Sequence, residues 1–137
     1  MTLYKLKRKV KLQDVDAAGI LFFPKFLEYC HDTYFEYLDV AGLNIPQSIA
    51  TGPYILPLVH AEADFKHPLK FGDEIEIRVL RAVMGKSTSF KIEYEVVLAG
   101  NEETLCCRAN TVHAAIHRKT FKPLKQLPQE IKDVLKI

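Results

Sequence analysis

The chain predicts an α+β domain in which about five antiparallel strands are built on one long helix. Three observations carry that prediction. Apolar and polar residues alternate with period two near the N-terminus and again from residue 55 onward. A single stretch of helical period, residues 24–40, separates these regions. No helical pattern falls between the later strands, so they join through turns and run antiparallel.

Residues 4–13 alternate strictly, with Tyr4, Leu6, Val10 and Leu12 on one face and Lys5, Lys7, Lys9 and Lys11 on the other. This is a half-buried strand whose lysine row marks a solvated edge. From Asp14 to Phe23 the alternation stops. Ala17-Ala18-Gly19 supplies small residues where a chain turns tightly or lets a ligand come close. Pro24 then opens the helix, because its missing N–H costs nothing in the first turn. Phe26, Leu27, Cys30, Tyr34, Tyr37, Leu38 and Ala41 share one arc of it; Lys25, Glu28, Asp32, Glu36 and Asp39 lie opposite, and Gly42 ends it. Residues 43–54, with Pro46, Gly52 and Pro53, read as a loop with room for a short helical turn.

Four strands follow. Val59, Ala61, Ala63 and Phe65 alternate with His60, Glu62 and Asp64; Ile75, Ile77 and Val79 start the next strand; Phe90 to Leu98 alternate again; residues 104–117 form the last. Gly85-Lys86 and Gly100-Asn101 mark turns. In the last strand the apolar phase switches between Ala109 and Val112, which predicts a bulge there or burial on both faces. A short helix is expected at 128–136. One helix cannot cover both faces of a curved sheet, so the other face or an edge should meet a second subunit.

The 137 residues suit one domain, 1–137. A net charge of +2 gives no reason to expect nucleic-acid binding. No apolar run has membrane-spanning length, and the basic, alternating N-terminus lacks the apolar block of a secretory signal; a cytoplasmic protein is expected. Cys30, Cys106 and Cys107 form no disulfide framework.

The loop before the helix is the candidate reactive segment. A carboxylate at Asp16 can act as general base on water, or as a nucleophile through a mixed anhydride. The helix start beside it offers free backbone N–H groups, suited to a developing oxyanion. Asp14 and Asp16 are equally what a turn would use, and spacing alone leaves both readings open.

The run Asp14-Val15-Asp16-Ala17-Ala18-Gly19-Ile20, followed by Phe22-Phe23-Pro24 and an aromatic-rich helix, resembles the signature of hotdog-fold acyl-CoA thioesterases of the 4-hydroxybenzoyl-CoA thioesterase type. Phe65-Lys66-His67-Pro68-Leu69-Lys70-Phe71-Gly72-Asp73 is similar to a second block of that family, and the likeness spans residues 5–117. Phe23 and Leu56-Pro57-Leu58-Val59-His60-Ala61 are most similar to its branch acting on 1,4-dihydroxy-2-naphthoyl-CoA in phylloquinone and menaquinone synthesis.

The resemblance implies a five-stranded antiparallel sheet wrapped around one long central helix. It implies Asp16 as base or nucleophile and the Phe23 backbone N–H as the group polarising the thioester carbonyl, with Asp14 bracing the loop. It implies a homo-oligomer, a dimer or a dimer of dimers (a homotetramer), whose partner subunit completes each pocket. Substrate-binding candidates are Gly19, His60, Tyr54 and Lys86. His60 could line an acyl pocket or bond a phenolic hydroxyl, or be an interface histidine. Phe22, Phe23 and Tyr54 would suit a flat bicyclic acyl group, or belong to the core. The family sets basic residues near Lys86 against the nucleotide phosphates of coenzyme A, with His67 and Lys70 as weaker candidates.

Thioester hydrolysis needs neither metal nor cofactor, coenzyme A being part of the substrate. His113 and His117 alone do not make a metal site. Rival readings are a 4-hydroxybenzoyl-CoA or short- to medium-chain acyl-CoA thioesterase, and a non-catalytic acyl-binding module on the same scaffold. A dehydratase would want a catalytic histidine on the helix, where His31 sits only at the border of the apolar arc.

Overall fold

The computed structural model describes residues 2–100 and 104–137. Its strands are β1 (Tyr4–Lys9), β2 (Tyr54–Ile55), β3 (Leu58–Phe65), β4 (Glu74–Met84), β5 (Ser89–Leu98), β6 (Thr104–Ala114) and β7 (Ile116–His117). Five form one antiparallel sheet in the order β1-β4-β5-β6-β3, and β2 pairs with β7 in a small annex. Three helices accompany them, α1 (Pro24–Val40), α2 (Ile45–Thr51) and α3 (Gln129–Leu135), so the expectation of one long helix with a short tail helix gains a third. Asn44 caps α2 by accepting the Gln47 N–H at 3.0 Å, a local signal sufficient to make the expected loop helical.

Along α1 the face that the periodicity marked does sink into the core, with two amendments. Phe26, Cys30, Tyr34, Tyr37 and Leu38 are buried against Ile75, Ile77, Phe90, Ile92 and Val96 of the sheet. Leu27 is half-buried and Ala41 exposed, while Tyr29 and Thr33 are buried in their place. Thr33 hides its hydroxyl by bonding the Tyr29 carbonyl one turn back, at 2.7 Å. Truncating a large aliphatic residue as enclosed as Ile77 costs about 2–5 kcal/mol.

At three places the strands depart from the sequence reading. β1 ends at Lys9, and a short 3-10 turn at Leu12–Asp14 follows, leaving Leu12 exposed. The last strand is broken at Ala115, between β6 and β7. No bulge lies between Ala109 and Val112: the register shift falls between Val96 and Val97, opposite the Leu105–Cys107 stretch. Beyond it Cys107, Ala109, Thr111 and His113 keep one buried phase. The apparent switch arose because two of these inward residues are polar. The turn expected at Gly100-Asn101 lies partly outside the described residues.

Those two polar residues are satisfied in a row. The Tyr94 and Thr111 hydroxyls are 2.7 Å apart, and Thr111 Oγ1 is 2.9 Å from His113 Nε2. The His113 ring, 1% exposed, lies between His31 (5.7 Å, interplanar 6°) and Phe90 (5.4 Å, 18°).

The two borders of the sheet differ. On β1 the exposed positions are Lys5, Lys7 and Lys9, a charged border that repels strand addition. On β3, Leu58, Val59 and Phe65 are 47%, 58% and 49% exposed, beside the exposed His60, Glu62 and Asp64. The sheet face away from α1 is ionic: Arg78 lies 2.7 Å from Glu76 and 3.9 Å from Glu95, Lys91 3.6 Å from Glu93, and Arg81 also pairs with Glu93. Such pairs add little stability but keep the face wet.

Burial, and then the neighbouring His31, push the His113 pKa down to about 4, from 6.5. The unfolded chain therefore takes up this proton first as pH falls. Full stability is present above about pH 6.5 and is lost toward pH 4, by about 3 kcal/mol at most. Urea unfolding across this range should show the decline, and His113→Gln should flatten it; an unchanged slope would place its origin elsewhere.

Candidate active site

The loop between β1 and α1 closes as a small hairpin. Phe22 N–H donates to the Asp14 carbonyl at 2.9 Å, Asp16 N–H to the Ile20 carbonyl at 2.9 Å, and Gly19 N–H to the Asp16 carbonyl at 3.0 Å. Asp16 thus stands on one arm, and the other arm runs straight into Phe23 and α1. Its Oδ1 accepts the Ala18 N–H at 2.8 Å and the Ile20 N–H at 3.4 Å. Oδ1 therefore does the turn-forming work, while Oδ2 makes no hydrogen bond among the described residues. Gly19 turns the tip at φ +81°, where a Cβ would be strained though it would touch nothing within 4 Å.

Asp14 ties this hairpin to the helix. It is only 8% exposed, accepts the Tyr29 hydroxyl, and lies 3.6 Å from Lys25 Nζ. The Arg8 guanidinium sits 3.5 Å from the centre of the Tyr29 ring. Burial, and then the bond to Asp14, push the Tyr29 pKa up to about 12. Sequence reasoning missed Tyr29, Lys25 and Arg8. Tyr29 lies one turn from Phe26 on the buried arc and was open to detection; the Asp14 contact, between positions 15 residues apart, left no local signal.

Phe23 precedes the first helical residue, and Pro24 behind it has no N–H to offer. The Phe23 N–H has no acceptor among the described residues. Its ring, 60% exposed, packs edge-on against Phe22 (5.2 Å) and Phe65 (6.1 Å). The second sequence block comes to the same place: Leu21 N–H donates to the Leu69 carbonyl at 2.7 Å, and Ile20 bridges Lys70. The two blocks, remote in sequence, therefore form one corner with a free amide, a capped carboxylate and exposed aromatic rings.

The remaining candidates lie elsewhere. Phe65, beside Phe23, pairs with Cys107 near the start of β6, whereas Leu58 pairs with His113 near its end. His60 lies on the exposed β3 border, with Nε2 3.7 Å from Glu62 Oε1. Lys86 is exposed in the β4–β5 turn, at the Leu58 end of the sheet. Tyr54 pairs with His117, bonds Glu130 at the start of α3, and lines a cavity of about 350 Å³ between α2 and the second half of α1. Within one chain, Asp16, Gly19 and Phe23 are brought together; His60, Tyr54 and Lys86 gather at the opposite end. Asp16 is exposed, and His67 and Lys70 are exposed on its side.

Over residues 10–135 the sequence matches the family described as the thioesterase-like superfamily, and the chain belongs to it, with the hotdog fold. It is 37% identical over 113 residues to the 1,4-dihydroxy-2-naphthoyl-CoA hydrolase of Rippkaea orientalis, covering 82% of this chain and 81% of that one. Over 135 residues it is 30% identical to the enzyme of the same name from Synechococcus elongatus, covering 98% and 96%. The solved 1,4-dihydroxy-2-naphthoyl-CoA thioesterase from Synechocystis superposes with a TM-score of 0.89 at 32% identity, over 97% of this chain and 95% of that one.

Asp16→Asn keeps an acceptor at Oδ1 and should leave the melting temperature close to wild type. Asp16→Ala frees two amides and should cost about 1 kcal/mol. Gly19→Ala should cost about 1–2 kcal/mol through backbone strain alone. Thermal unfolding of the three variants distinguishes these outcomes.

Proposed function

We propose that this chain hydrolyses an aromatic acyl-CoA thioester, 1,4-dihydroxy-2-naphthoyl-CoA first among the candidates, to the free acid and coenzyme A. The observation that carries the reading is the pairing, on one short loop, of a carboxylate with an unbonded oxygen and a helix-start amide with no acceptor. The printed activities of its relatives support the same chemistry.

The thioester oxygen rests on the Phe23 N–H, where a single such donor is worth about 3–4 kcal/mol in the transition state. By one route Asp16 takes a proton from water as the water oxygen bonds the carbonyl carbon. The tetrahedral oxyanion then collapses, the C–S bond breaks, and the thiolate leaves and is protonated. By the other, Asp16 itself attacks, C–S cleavage gives a mixed anhydride, and water hydrolyses it. Neither route calls for a metal or cofactor. A soluble, cytoplasmic enzyme suits both the substrate and the absence, among the described residues, of any helix able to cross a membrane.

Assembly belongs to the same reading. The β3 border, where Leu58, Val59 and Phe65 are exposed, pairs antiparallel with a second copy about a two-fold axis, the sheets curling about α1 as the central helix of each domain. In an antiparallel pair of this kind the Leu58 end of one strand runs toward the Phe65 end of the other. Each subunit's His60, Tyr54 and Lys86 end then faces the other's Asp16, which supports Lys86 as a phosphate contact across the dimer. The ionic outer face leaves a dimer of dimers to form by other surfaces.

A panel of aryl- and alkyl-CoA substrates, assayed by free-thiol release, tests the proposal. Asp16→Asn should lower kcat by about a thousandfold or more on the preferred substrate, with coenzyme A binding retained. An active variant would overturn the mechanism, and binding without turnover in the wild type would favour the non-catalytic module. Lys86→Ala should raise KM and weaken its dependence on salt.

A further inference from the structure

Between β7 and α3 the chain turns back on itself in a tight hairpin. His117 N–H donates to the Lys122 carbonyl at 2.8 Å, Phe121 N–H to the His117 carbonyl at 2.9 Å, and Ile116 bridges Pro123. Arg118 N–H ties the tip to the Pro53 carbonyl at 3.2 Å. Main-chain bonds thus hold residues 118–121 in place, and the fold sets what they display.

Phe121 adopts φ +58°, the left-handed conformation that Gly or Asn usually occupies. Ser87 and Lys136 are the other non-glycine residues described with positive φ, and neither is a bulky apolar residue. Packing does not repay the strain. The Phe121 side chain is 67% exposed, more than any other large apolar one among the described residues. A residue that strains its backbone and buries so little points to a use outside the chain.

Positive charge surrounds the ring. Residues 116–129 contain no acid, and Arg118, Lys119, Lys122 and Lys125 lie among them. These cations outnumber the net charge of +2, so the rest of the chain is net negative. None of them forms an ion pair among the described residues. Beside the tip is an open hollow to which Thr51, Thr120, Arg118, Lys119 and Lys122 contribute, and no carboxylate lines it. A free phosphate would engage the cations and leave the ring idle. The boundary of an anionic bilayer engages both, because an aromatic ring suits the border between headgroups and acyl chains while cations suit the lipid phosphates.

We propose that this hairpin docks the protein reversibly on an anionic lipid surface. Phe121 enters the headgroup boundary, and Arg118, Lys119 and Lys122 lie against the phosphates. The chain touches the membrane and does not cross it. The proposal is independent of the thioesterase reading, since docking is measured without turnover.

The test sediments the full-length protein with vesicles of phosphatidylglycerol and phosphatidylcholine in equal parts, and with phosphatidylcholine alone. The wild type should bind the anionic vesicles, less so as salt rises, and ignore the neutral ones. Each Lys or Arg near such a surface strengthens partitioning by about fivefold, so the double variant Lys119→Gln, Lys122→Gln should weaken it by about twentyfold. Phe121→Asn, or Phe121→Gly should the first fail to fold, removes the ring and relieves the backbone. Either should weaken partitioning by about tenfold while the melting temperature holds or rises. A wild type that leaves anionic vesicles in solution would overturn the proposal, as would ring or lysine variants that partition like it. Retention on heparin without vesicle binding would overturn it in favour of a soluble polyanion. A lysine variant whose KM for acyl-CoA rises as far as its partitioning falls would make the hairpin a seat for substrate phosphates, and would overturn it as well.

Discussion

A carboxylate sunk beneath the first turns of α1 holds the loop of the candidate site together. Asp14 receives the Tyr29 hydroxyl from the helix and draws in Lys25, while its own carbonyl receives the amide of Phe22. One residue thereby fixes the arm bearing Asp16 and the arm leading to Phe23. A buried carboxylate is tolerable because hydrogen bonds and a cation surround it; left bare, it would be among the most costly groups in the fold. The candidate reacting groups can remain exposed because the group that places them is not.

Much of this was legible in the residues. Period-two alternation located β3, β4 and β5, and the Pro24 start with its helical arc located α1 to the residue. The loop was legible because small residues, a positive-φ glycine and two aspartates in a row have few other uses. What escaped notice escaped for physical reasons. Thr111 and His113 point inward while reading as polar, so their strand seemed to change phase. Tyr29 and Asp14 meet across a fold-level contact that no window of sequence contains. The short α2 depends on one cap, a stabilisation of about 1 kcal/mol that a loop rich in Pro and Gly obscures.

The candidate site was half legible in the same sense. Its candidate reacting groups are close in sequence, so a motif could point to them. The other groups proposed to hold the substrate are spread over β2, the β3 border and the β4–β5 turn, and a single chain sets them far from Asp16. Pattern identifies such residues as exposed, apolar or basic; only the topology shows that they share one end of the sheet.

The lysines along β1 have a meaning beyond solubility. Strands that expose their amides at both margins can recruit neighbours without limit, and the product is a ribbon. Here one margin is fenced by ammonium groups, while the other sets exposed apolar residues beside His60, Glu62 and Asp64, so strand addition is blocked on the lysine side alone. With that margin closed, any pairing through the β3 margin would end at two copies and would not begin a fibre.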